Sequence, residues 1–145
     1  MKFALTVAAL LATAATPVLA EEWHAYSRTG TRAYLADVQS IAAAGGSVVS
    51  ITAASVPLAS PPGDLTHGEE TYQFDCASGK WRTAGARDYA ADGSLDGDYP
   101  EADAAWEDLR PNTVPDYLKQ IACDGSRSEG QTYASIRAFV EAGRP

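Results

Sequence analysis

A chain of 145 residues and 15.2 kDa has room for one ordinary domain and too little for two sizeable ones. With 46% hydrophobic and 21% charged residues, its composition is globular, neither disordered nor fibrous. Lys and Arg number 11 against 19 Asp and Glu, a formal net charge of -8, which argues against a general grip on nucleic acid or anionic lipid, since both need clustered cations.

The first residues read as an address. Met1-Lys2 is a short basic start, and Phe3 to Ala15 is apolar. Thr16 to Ala20 then supplies a helix break, with small residues at Val18 and Ala20. These are the three regions of a secretory signal peptide, residues 1–20, cleaved after Ala20. An uncleaved membrane anchor is the competing reading. The shortness of the apolar run and the cleavage pattern that ends it speak against that reading. No other run approaches the roughly 20 apolar residues of a transmembrane helix, so none is expected in the mature chain. No Cys follows the cleavage site to carry a lipid. The expected location is the periplasm or the extracellular cell surface, with residues 21–145 as one domain.

Trp23 to Arg28 alternates large and small residues and reads as a strand, turning at Thr29-Gly30 into a second strand that ends near Val38. Ser40 to Gly46 is small and reads as a turn or short helical piece. Ser47 to Val56 is rich in β-branched residues, a strong strand pattern. Pro57 to Gly68 reads as a loop. Glu70 to Cys76 alternates cleanly and puts Tyr72, Phe74 and Cys76 on one face. Ser78-Gly79 turns into a strand from Lys80 to Tyr89, and Asp92-Gly93 is a further hairpin-type turn. Asn112 to Asp116 carries the marks of a helix start: a capping residue, an early Pro and an early acid. Val114, Tyr117, Leu118 and Ile121 follow at helical spacing, with Gly125 as the stop. Ser128 and Gln131 resemble a capping box for a second short helix carrying Tyr133, Ile136 and Val140 and ending at Gly143. Strands first and helices last predict an α+β fold with an antiparallel sheet.

Cys76 and Cys123 are the only cysteines. Export makes one disulfide the default, with two free buried thiols as the alternative. Such a bridge would stabilise the fold by about 4 kcal/mol on the chain-entropy account. There is no C-x-x-C redox motif, and two cysteines with two distant histidines have no zinc spacing.

The order of features resembles a known family. An aromatic opening strand (Trp23) is followed by Tyr34, Asp37, Ile41, Gly45-Gly46 and a Val-rich strand. Then come Tyr72, Asp75-Cys76, Trp81-Arg82 and Tyr89 before Asp92-Gly93-Ser94. Trp106, Arg110-Pro111, Tyr117-Leu118 and Cys123 close the series. This pattern resembles the bacterial surface-adhesin protein E-like domain over roughly Glu21 to Gly125. The resemblance implies an antiparallel β-sheet with a C-terminal helix tethered by the disulfide. It further implies a non-enzymatic protein, since the family's known members bind host extracellular-matrix and serum proteins at the cell surface.

Asp88 to Asp108 holds eight acids and no base. Within it Asp92, Ser94, Asp96, Asp98 and Asp103 partly match the ligand spacing of a calcium loop, with Gly97 at the turn. Asp103 is shorter than the usual closing Glu, Pro100 interrupts the loop, and the segment before it reads as strand. A hairpin turn followed by a solvated acidic loop is the plainer reading. His24 and His67 are lone, and His24 alternates with Trp23, which places it on the solvent side. No G-x-S-x-G or Ser-x-x-K supports a serine nucleophile, and no glycine run cradles phosphate. No cofactor is expected. Tyr and Trp favour interfaces, and Tyr99, Trp81 and Trp106 are the binding candidates. Tyr99 leads, because it sits in the acidic loop with no periodic pattern to bury it. The leading reading is therefore a non-enzymatic exported binding module for a protein partner, using a sheet face or edge. A periplasmic small-ligand or calcium-binding protein using residues 92–103 is the alternative, and a small hydrolase or enzyme inhibitor is a third.

Overall fold

The computed structural model describes residues 20–145. The expected signal peptide, apart from Ala20, lies outside the described residues. Six strands follow one another: β1 (Trp23–Arg28), β2 (Arg32–Ala43), β3 (Val48–Pro57), β4 (His67–Asp75), β5 (Lys80–Tyr89) and β6 (Leu95–Pro100). Then come β7 (Glu107–Asp108), α1 (Val114–Asp124), β8 (Thr132–Tyr133) and α2 (Ile136–Glu141). The sheet order is β6-β5-β4-β3-β2-β1-β8, with β7 also pairing β5. Every ladder is antiparallel, so the first six strands form an up-and-down meander.

The period-two alternation sorts side chains to two faces. Ala33 and Leu35 of β2 and Ala54 and Val56 of β3 meet Ile136, Phe139 and Val140 of α2. Ala36, Ile51, Ala53 and Phe74 meet Leu118 and Ile121 of α1 on the opposite face. The protein is thus an α+β sheet with a helix against each side. Phe139, Leu35, Val56, Phe74 and Leu118 are fully buried. Each such side chain contributes about 1.5–3 kcal/mol relative to exposure.

Cys76 and Cys123 form a disulfide with 5.7 Å between their Cα atoms, across 47 positions of sequence. It ties the end of β4 to the last turn of α1, and the free-thiol alternative is excluded. Gly125 caps α1 in a left-handed conformation, φ 73°, which a residue with a Cβ adopts only at a cost. At the other end of α1 the Thr113 side chain makes no cap. Asp116 Oδ2 instead accepts from the Asn112 N–H at 3.0 Å.

Several expectations change. The turn read at Ser40–Gly46 begins later, because β2 continues to Ala43 through an irregularity in its pairing with β3. Ser40 bridges that irregularity: its hydroxyl accepts from the Thr52 N–H at 2.8 Å and donates to Asp37 O at 2.7 Å. A side chain there does the work of a missing backbone partner. The loop read from Pro57 to Gly68 gives way to strand at His67. The acidic loop after Asp92 is largely strand, since β6 and β7 both pair with β5. An edge strand tolerates charge on its outward side, so acids did not forbid it. Ser128 caps no helix. Residues 132–133 pair alongside β1 as β8, and Ser135 caps α2 by accepting from the Ala138 N–H at 3.1 Å. His24 is buried, not solvent-facing, because helices cover both sides of the sheet. Tyr117, expected in the α1 core stripe, is exposed.

Candidate binding surface

The sheet ends at β6, which among the described residues pairs on one side only. Its outward backbone groups are therefore open to a partner strand. Tyr99 stands on this strand and is 58% exposed; Leu95 is 55% exposed. The Tyr99 ring lies back over Gly97. A Cβ at Gly97 would come within 2.6 Å of Tyr99 Cε2, so only glycine leaves the ring its place.

Trp106 precedes β7 and is 36% exposed. The Arg82 guanidinium sits 4.7 Å from its ring centroid. Arg82 is itself held by Gln73 Oε1 at 2.9 Å and Ala104 O at 3.4 Å. Trp106 is thus steadied on one side and open on the other. Trp81 behaves differently. It is half-buried and stacks on Tyr72 with ring centroids 5.7 Å apart, as part of the packing under α1. The structure therefore sets Tyr99 and Trp106 along the outer side of β5 and turns Trp81 inward.

The calcium-spaced residues disperse along the hairpin. Asp92 Oδ1 accepts from the N–H and hydroxyl of Ser94, at 2.8 and 2.6 Å, and these bonds hold its carboxyl below the ordinary range. Asp96 and Asp98 ride on β6, where Asp98 faces Arg87 at 3.4 Å. Asp103 lies beyond the strand. Among the described residues, no group of three or more His, Cys, Asp or Glu side chains is arranged to hold a metal ion. Both histidines are engaged by neighbours. His24 Nε2 lies 2.9 Å from Glu22 Oε1. His67 Nδ1 donates to Leu65 O at 2.6 Å, and its ring stacks on Tyr89 at 4.4 Å. The Tyr89 hydroxyl donates to Glu69 at 3.1 Å.

A second surface was not singled out from sequence. On the α1 face, a cleft of about 420 Å³ opens beyond the start of the helix. Tyr26, Tyr34 and Tyr72 wall it, with Arg32, Glu70 and Asp88. The Tyr72 hydroxyl donates to the Glu70 carboxylate. Burial, and after it the nearness of Glu70, pushes the Tyr72 phenol far above its ordinary pKa. Burial does the same to Tyr26, with Tyr34 and Glu70 adding to it. The three tyrosines come from β1, β2 and β4, so only the strand register brings them together.

A family model for surface-adhesin protein E matches residues 23–124. The chain belongs to that family. The match ends with α1, so β8 and α2 lie outside it. No curated protein and no solved structure matches the chain. Among the described residues, no helix is long and apolar enough to cross a membrane.

Proposed function

We propose that this is an exported, non-enzymatic binding protein that engages a protein partner through the sheet edge formed by β6 and β7. The carrying observation is the pair of exposed aromatics, Tyr99 and Trp106, set along that edge. Tyrosine and tryptophan give large contact areas at low entropic cost, and an open strand adds backbone donors and acceptors. Membership in a surface-adhesin family supports the reading. The edge also carries Asp96, Asp98, Glu107 and Asp108, so its charge suits a basic partner surface.

The test immobilises the exported chain and presents purified extracellular-matrix and serum proteins. At least one is expected to be retained, and Tyr99→Ala with Trp106→Ala is expected to weaken it about tenfold or more. Stability should stay within the small range of surface substitutions, roughly 0.5 kcal/mol. Retention of nothing, or equal retention by the double variant, overturns the proposal. Protease treatment of intact and of ruptured source cells separates a cell-surface partner from a periplasmic one.

A further inference from the structure

The tyrosine cleft is built by rows that cross the sheet. Tyr34 pairs with Ser55, Ser55 with Gly68, and Gly68 with Asp88. The next row runs Ala36, Ala53, Glu70 and Ala86. The floor is therefore made of Ala53, Ser55, Gly68 and Ala86, all small, while tyrosines rise around it. Val114 and Pro115 close the end nearest α1.

The polar groups of the cleft lean one way. Glu70 is fixed by the Tyr72 hydroxyl. The Asp88 carboxylate lies over the bare Cα of Gly68, where a Cβ would stand 3.3 Å from Asp88 Oδ1. Among the described residues, Arg32 is the one cation lining the cleft. Its Nε and Nη2 are both spent on Ser55, on the hydroxyl and the carbonyl oxygen. Glu69 also borders the space, but its carboxylate accepts from Tyr89 on the other side of the sheet. Two carboxylates thus face one guanidinium. The Tyr26 hydroxyl is buried and has no partner among the described residues. A buried hydroxyl without a partner is costly, and a ligand that met it would remove the cost.

We propose that this cleft binds a small organic cation, an alkylammonium group seated among Tyr26, Tyr34 and Tyr72 and balanced by Glu70 and Asp88. Ring faces attract cations, and more strongly where water is excluded. The same surroundings that resist a phenolate here disfavour an anion. A bare metal ion would find no group of three or more His, Cys, Asp or Glu side chains arranged for it among the described residues, and a purely apolar ligand would leave the Tyr26 hydroxyl and both carboxylates unanswered. The site stands apart from the β6–β7 edge and does not depend on the role proposed for it.

The test titrates the exported chain with choline, with lysine methyl ester, and with the uncharged choline isostere dimethylbutanol, followed by chemical-shift changes of the tyrosine rings. Saturable binding of either cation, about tenfold tighter than the isostere, is expected. Choline alone assigns a quaternary ammonium, and lysine methyl ester alone assigns the primary ammonium of an amino acid or peptide. Glu70→Gln, at an exposed residue, should weaken the cation several-fold with the melting temperature kept, and Tyr34→Ala should weaken it further. Tyr99→Ala should leave it unchanged. No saturable binding of either cation, equal binding of the isostere, or indifference to Glu70→Gln overturns the proposal.

Discussion

The two faces of the sheet are closed by different means. On one, α2 and β8 lay Tyr133, Ile136, Phe139 and Val140 over Trp23, Leu35 and Val56. Polar bonds hold this cover down. The Arg144 guanidinium donates to Ser60 O, Pro61 O and Asp64 O. Arg28 in turn donates to Arg144 O and Pro145 O. On the other face, α1 is held covalently by the Cys76–Cys123 bridge. The regions left uncovered differ as well. Beyond α2 the exposed sheet is polar and satisfied within itself, as in the Arg87–Asp98 and Tyr89–Glu69 pairs. Beyond α1 it is aromatic, and the Tyr26 hydroxyl has no partner among the described residues. The α2 side does keep one orphan, the buried Arg144 Nε, but it lies inside the latch, whereas the Tyr26 hydroxyl lies at an open cleft walled by tyrosines and carboxylates, where a ligand can reach it.

The contrast breaks most sharply if the α2 cover is removed. A chain ending at Gly125 loses four large buried side chains, roughly 6 kcal/mol or more at about 1.5–3 kcal/mol each. That is comparable to a whole domain's stability of about 5–15 kcal/mol. Urea denaturation should lose its cooperative transition. A truncated chain that still unfolds cooperatively would make the α2 side an ornament rather than half of the core. Next is the covalent side. Cys76→Ser with Cys123→Ser should lower stability by about 4 kcal/mol, read as a lower urea midpoint.

Smaller is the polar latch. Arg144→Ala removes three hydrogen bonds to the carbonyl oxygens of the 60–64 loop, of which Pro61 O keeps the Asp64 N–H, about 1–3 kcal/mol. Arg144→Lys should not restore it, because one ammonium cannot reproduce the planar fork. Smallest is an acid effect beside the bridge. Asp75 accepts from the Ser47 and Ser78 hydroxyls, both at 2.6 Å, which depress its carboxyl from 3.8 to about 2. A depressed carboxylate stabilises the fold above its unfolded value and ceases to as pH falls through the folded one. The melting-temperature gap between the native chain and Asp75→Asn should therefore be full above about pH 4 and close toward pH 2. A gap that widened with acid would refute the assignment.

These differences also mark what the sequence makes legible. Strand β3 declares itself through β-branched residues and β4 through clean alternation, and β5 follows as the return strand after the Ser78-Gly79 turn. The cysteine pairing follows from there being two. Strand β6 does not declare itself, since Asp96, Gly97 and Asp98 look like loop, and only pairing with β5 makes them a strand. The exposure of Tyr99 is legible all the same, because no periodic pattern buries it and an edge strand leaves much of a side chain uncovered. The burial of His24 is hidden from the pattern, because alternation tells which residues share a face, not whether that face meets water. The cleft is least legible of all. Tyr26 falls where the β1–β2 pairing slips between Ala25 and Ser27, so its convergence with Tyr34 and Tyr72 follows from a bulge that no local pattern announces.

The latch also bears on the order in which the molecule is completed. Arg28, near the beginning of the described chain, is bonded to Arg144 and Pro145, and the 60–64 loop waits on Arg144. A chain delivered amino end first, whether from a ribosome or through a membrane pore, can form its meander early from neighbouring strands. It cannot close the α2 side until residues as far as Arg144 and Pro145 have emerged. The long span of those contacts postpones their reward, because the loop between them must first be closed. Until then the partly delivered chain lacks half its core and remains loose enough to be threaded.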